Sequence, residues 1–175
     1  MPTVSTFLPK DYELKENGSD FMKFEEGDNK FRILTQATIF MEGWKDGKPF
    51  RRAGATASIS PDEVDLDYKY SADGKPKISE GWAFYVYSHK DEKVMLLSIT
   101  QQSIKKEIMK YASDEEWGTP TEYDITVTRT TSGPKTTYSV KPSPAKPLAK
   151  AAQAIVDAVS DTFDVEKALN IEAIS

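Results

Sequence analysis

Between Trp44 and Arg52 the chain sets two aromatic rings among four cations: Trp44, Lys45, Lys48, Phe50, Arg51 and Arg52. Cations track phosphates and flat rings stack on bases. Together they let a protein hold a single nucleic-acid strand without reading its sequence, at about 1–3 kcal/mol per stacked base. Asp46-Gly47 lies inside the cluster and is a strong hairpin signal, so these side chains are expected on a two-stranded ribbon. The plainer alternative is a solvated hairpin tip with Trp44 tucked against the body.

A second group of rings lies in Gly81-Trp82-Ala83-Phe84-Tyr85-Val86-Tyr87-Ser88. Successive strand side chains point to opposite faces. Trp82, Phe84 and Val86 then share a core-facing side, while Tyr85 and Tyr87 point outward as stacking candidates. Their alternative is a second packing layer beneath a C-terminal helix. Asn29-Lys30-Phe31-Arg32-Ile33-Leu34 alternates in the same way, which puts Lys30 and Arg32 on the non-core side of the first strand. Arg129 and Lys135 flank the last hairpin turn. The candidate contacts to a single strand are therefore Lys30, Arg32, Trp44, Lys48, Phe50, Arg51, Arg52, Tyr85, Tyr87, Arg129 and Lys135. Lys105, Lys106 and Lys110 read instead as a solvated helix face, and Trp117 as a structural plug.

Other chemistries find little support. The chain has no cysteine, which removes disulfides, thiolate metal sites and cysteine nucleophiles and fits a reducing compartment. His89 is the single histidine and falls in an expected turn, a poor place for a preorganised base. Asp62, Glu63, Asp65 and Asp67 lack the order of a calcium-binding loop. No catalytic activity, metal or cofactor is expected. The net charge of -5 argues mildly against a nucleic-acid binder, although phosphates respond to the local patch rather than to the sum.

The elements that must hold these residues are short strands. At 175 residues the chain suits one domain with appendages. Residues 1–20 read as an N-terminal arm, residues 21–144 as the domain, and residues 145–175 as a C-terminal helical extension. Within the domain the order is strand, hairpin, an excursion over residues 53–77, hairpin, helix, hairpin. Thr100 is the expected cap of the helix. This is a mainly β pattern, expected to form an OB-fold, a five-stranded Greek-key barrel that binds oligonucleotides or oligosaccharides across one face. No apolar run approaches the roughly 20 residues that span a bilayer, and Met1 to Thr6 lack signal-peptide features, so a cytoplasmic protein without membrane partners is expected.

An ordered set of short motifs resembles the phage single-stranded DNA-binding proteins with an OB-fold. The set comprises Asn29-Lys30-Phe31-Arg32-Ile33-Leu34, then Trp44 followed by Gly47-Lys48-Pro49-Phe50-Arg51. Next come Trp82-Ala83-Phe84-Tyr85-Val86 and Lys93-Val94-Met95-Leu96-Leu97. Trp117-Gly118-Thr119-Pro120 then leads to Tyr123-Asp124-Ile125 and the return Thr137-Tyr138-Ser139-Val140. The resemblance covers about Phe21 to Leu148. It implies a protein that coats and protects single-stranded DNA during phage replication, recombination and repair in the host cytoplasm. Implied partners are single-stranded DNA, phage or host replication and recombination proteins, and further copies of the chain along the strand. Such proteins often end in an acidic tail that recruits partners, whereas Asn170 to Ser175 is not strongly acidic. The alternative function is an OB-fold protein-interaction module in a replication or recombination complex, without strong DNA binding of its own.

Overall fold

The computed structural model describes residues 21–45, 48–54, 59, 78–169 and 171; the side chains of Lys45 and Lys48 fall outside that description. The expected arm at 1–20, and the acidic cluster within the 53–77 excursion, also lie outside the described residues. The strands are β1 (Gly27–Ile33), β2 (Thr38–Lys45), β3 (Lys48–Ala53), β4 (Ser79–Ser88), β5 (Lys93–Ile99), β6 (Asp124–Ser132) and β7 (Lys135–Pro142). The helices are α1 (Gln102–Ala112) between β5 and β6, then α2 (Lys150–Val159) and the one-turn α3 (Val165–Ala168) after β7.

All seven strands form one antiparallel sheet, with neighbours in the order β3-β2-β4-β1-β6-β7 and β5 paired on the other edge of β4. The expected closed five-stranded barrel is not what forms. Among the described residues no ladder joins β5 to β7, so the sheet stays open. Instead α1 packs on the side between these strands, and its Ile104 and Ile108 join the same core as Leu97 of β5 and Val140 of β7. Helix α1 begins at Gln102 with Gln101 at its cap position, so Thr100 does not serve as the cap.

Alternation explains which side chains are buried. β4 puts Phe84 and Val86 on the inner face, where they meet Phe31 and Ile33 of β1, Leu97 and Ile99 of β5, and Ile125 and Val127 of β6. Trp82 is packed against the same cluster, as its register requires. The opposite face of β4 carries Ala83, Tyr85 and Tyr87, and it is covered as well. Phe40, Leu96, Val165 and Leu169 surround Tyr85, and Ala152 and Val156 of α2 cover Tyr87. A sheet buried on both faces explains why apolar and aromatic residues run through β4 without a polar side.

Two local features fix the register. The β6–β7 hairpin pairs Ser132 with Lys135, and Gly133 in the connection has a φ of 60°, a left-handed value that glycine adopts without a Cβ penalty. In the β2–β4 ladder Gly81 stands opposite Phe40, whose fully buried ring lies over the glycine. A Cβ at position 81 would enter that ring. Gly81→Ala should therefore lower stability by about 1–3 kcal/mol through overpacking. A thermal melt checks this, and an unchanged Tm would show that the Phe40 ring moves aside freely.

Candidate functional site

The β2–β3 ribbon stands at one end of the strand order. Its ladder pairs Met41 with Arg52, Glu42 with Arg51, Gly43 with Phe50, Trp44 with Pro49 and Lys45 with Lys48. Paired residues share a face. Phe50 and Arg52 therefore lie on one side of the ribbon, and Trp44 and Arg51 lie on the other. Phe50 faces a glycine across the ladder, which leaves room for its ring. The Arg52 guanidinium sits 5.1 Å from the centroid of that ring. Trp44 keeps 40% of its surface exposed, a large value for tryptophan. The ribbon thus offers an aromatic group on each face, with the two lysine positions opposite each other at its end.

Arg51 has a different role from its neighbours. Its Nε donates to Glu42 Oε2 at 2.8 Å, its Nη1 donates to the Leu169 carbonyl at 2.8 Å, and its guanidinium lies 6.0 Å from the Phe40 ring centroid. It ties the ribbon to the C-terminal segment, and these bonds compete with any phosphate.

Arg32 departs furthest from expectation. It lies on the non-core side of β1, as the alternation requires, yet as a candidate contact it is only 3% exposed. The reason is Asp124, its ladder partner on β6. Arg32 Nε donates to Asp124 Oδ1 at 3.0 Å, and Nη2 donates to the Lys146 carbonyl at 2.8 Å. His89 Nε2 lies 2.9 Å from the same Asp124 oxygen, and Lys30 Nζ stands 3.9 Å from the other. Lys30 itself is exposed, as expected. The residues after β7 lie over this cluster because Ser143 donates to the Asp124 carbonyl and Lys146 to that of Glu122. Burial alone pushes the Asp124 carboxyl pKa up. The His89 hydrogen bond and charge, together with Arg32, outweigh burial and hold it below the ordinary aspartate range.

Tyr85 and Tyr87 point outward as expected, but neither is open. Tyr85 is stacked on Phe163 with centroids 4.2 Å apart and planes at 13°, and its hydroxyl accepts a bond from the Asp164 N–H. Tyr87 lies under α2 and meets His89 edge-on at 5.2 Å. The second packing layer is the arrangement the structure adopts. Arg129 is half-buried and donates to the Phe24 carbonyl at 3.1 Å, while Lys135 is exposed at the start of β7. Both belong to the β6–β7 hairpin, at the opposite end of the strand order from the ribbon. Lys48 is placed by its backbone pairing with Lys45 alone.

Of two residues outside the candidate set, one changes character and one keeps it. Lys105 was expected on a solvated helix face, yet it is buried and donates from Nζ to the Glu80 carbonyl at 2.9 Å. Trp117 fulfils its plug role, edge-on to Tyr111 and Tyr123. Asp124 was missed because its partners lie 92 and 35 residues away. Its only local signal was a carboxylate at the start of an otherwise apolar and threonine-rich strand.

Compared with protein-family models the chain matches none, and no curated protein matches it.

Removing Asp124 strands Arg32 as an unpaired buried charge. Asp124→Ala should cost about 3–5 kcal/mol at neutral pH. The folded-state pKa lies below the unfolded value of about 3.9. The carboxylate therefore stabilises the fold fully above the unfolded pKa, and this contribution disappears as pH falls through the folded pKa. Urea unfolding of both proteins at pH 7 and near pH 3 should show the gap shrinking in acid. A gap that stays constant would contradict the pairing.

Proposed function

We propose that the chain is a sequence-independent single-stranded DNA-binding protein that coats and protects exposed strands in phage replication, recombination and repair. The observation that carries this reading is the β2–β3 ribbon, where Arg52 lies over Phe50 on one face, Trp44 is exposed on the other, and Lys45 pairs with Lys48 at the end. An exposed ring and a second, half-buried one beside cations meet the two needs of non-specific strand binding. The overall charge of -5 does not oppose this, because a strand that reaches the ribbon is within one Debye length, about 8–10 Å, of its local charges.

The strand connectivity supports an OB-type reading of the open sheet. β1 and β2 run in turn along one edge of β4, as a single bent strand would. β5 returns beside β4, α1 follows, and β6 comes back to pair with β1 before the β7 hairpin. In that reading the ribbon occupies the position of the loop between the first two OB strands. The β6–β7 turn, with Lys135, occupies the loop between the last two. These are the two loops that frame the ligand in OB-folds. Arg51 and Arg32 then serve to hold the frame, while Trp44, Phe50 and Arg52 make the contact.

Fluorescence anisotropy with a labelled oligo-dT tests the assignment. Phe50→Ala should weaken binding by about 1–3 kcal/mol, the worth of one stacked base. Arg52→Ala should reduce the slope of log affinity against log salt by roughly one, the signature of a lost phosphate contact. If both variants bind with the affinity and salt slope of the parent chain, the ribbon is not the interface.

A further inference from the structure

Beside the Asp124 cluster lies a cleft of ≈ 720 Å³, within the size range of sites that enclose a small organic molecule. Its walls come from the end of β1, from the stretch between β7 and α2, and from α2 with the turn after it. Arg32, Leu34, Lys146, Leu148, Val156 and Phe163 are among the residues that line it. Val156 is buried, while Leu34, Leu148 and Phe163 are half-buried against the clusters around Tyr85 and Tyr87. The surface they leave uncovered gives the cleft an apolar floor.

One charged group stands in this wall with its bonding incomplete. Arg32 is buried, but its guanidinium is only partly used. Nε and Nη2 donate to Asp124 and to the Lys146 carbonyl, whereas among the described residues no partner reaches Nη1. Nη1 is not sealed in the interior either; among the described residues the enclosed side-chain atoms without partners are Tyr123 Oη and Arg129 Nε. A buried arginine on the cleft wall therefore keeps one donor nitrogen open to it. A charged donor left unsatisfied beside apolar surface is unfavourable, and an acceptor of the right shape offsets that penalty.

The surrounding charge sets the sign of that acceptor. Arg32 and Lys30 share one carboxylate, Asp124, so the group carries one positive charge in excess before His89 is counted. On the rim Lys146 and Glu122 offset each other, and both are exposed. Discrimination then falls to the enclosed guanidinium, whose planar donors match a carboxylate. The apolar floor beside it suits a hydrocarbon body rather than a sugar.

We propose that this cleft binds an apolar carboxylate, with the anion on Arg32 Nη1 and the hydrocarbon body on Leu34, Val156 and Phe163. Two sources share that chemistry: a small organic acid, and the C-terminal residue of a peptide that ends in an apolar side chain. The site is separate from the β2–β3 ribbon and does not rest on the single-strand reading of the function. A ligand seated here touches β1, α2 and the stretch between β7 and α2 at once. It therefore stabilises the folded chain by binding it in preference to the unfolded one.

Amide chemical-shift mapping of the full chain by NMR tests this with two probes, hydrocinnamate and a short peptide ending in phenylalanine, each as the free acid and as the carboxamide. At least one acid should shift Leu34, Lys146, Gln153 and Phe163 and raise Tm, and the acid that binds more tightly names the source. The corresponding amide should bind about tenfold more weakly, the worth of one charge-assisted hydrogen bond. Gln153→Trp, which fills the cleft from an exposed position on α2, should abolish the shifts. No shifts with either acid at millimolar concentration overturns the proposal. Equal binding of acid and amide also overturns it, because the guanidinium then reads nothing. Shifts that persist in Gln153→Trp, or that centre on Trp44 and Phe50, place the ligand elsewhere and overturn it as well.

Discussion

One buried carboxylate sets the course of the chain. Asp124 opens β6 at 1% exposure and faces Arg32 on β1 and His89 at the end of β4. A charge enclosed to that degree is stable only when paired, and removing one partner costs far more than the intact pair contributes. Arg32, once held by Asp124 through Nε, uses Nη2 to fix the Lys146 carbonyl. The Asp124 backbone carbonyl fixes Ser143. The exit from β7 is therefore directed over the outer face of the sheet, where α2 and α3 settle on Tyr87 and Tyr85.

From that constraint follows a division of labour between the faces. The inner face is a closed apolar cluster shared by β1, β4, β5, β6, β7 and α1, and it contains no candidate contact residue. The outer face is occupied by the chain's own C-terminal segment. The β2–β3 ribbon takes part in neither to its full length, and Trp44 near its end remains exposed. Within the ribbon the two arginines differ by one position and hence by face. Arg51 turns toward Glu42 and Leu169 and supports the frame, while Arg52 turns toward Phe50.

Much of the fold was legible because it rests on local alternation. The period-two pattern of Phe31 and Ile33, and of Trp82, Phe84 and Val86, correctly separated inner from outer side chains. Asp46-Gly47 placed the hairpin between β2 and β3. Pairings distant in the chain were not legible. Arg32 looks like a surface cation in its strand, and only Asp124, 92 residues later, explains its burial. Lys105 follows the solvated pattern of α1 until the Glu80 carbonyl comes within reach of its Nζ. Barrel closure depends on whether β5 meets β7. The side-chain pattern of either strand says nothing about that, because α1 takes the intervening place. The covering of Tyr85 had a visible source in the apolar C-terminal segment, but the partner ring, Phe163, emerged only from the geometry.

The most direct measurement is a competition between oligo-dT and a duplex of equal length for the full chain at physiological salt. Binding through accessible rings requires unpaired bases, so the single strand should displace duplex and affinity should fall as salt rises. Equal affinity for the two, or no affinity for either, would contradict single-strand binding by this protein.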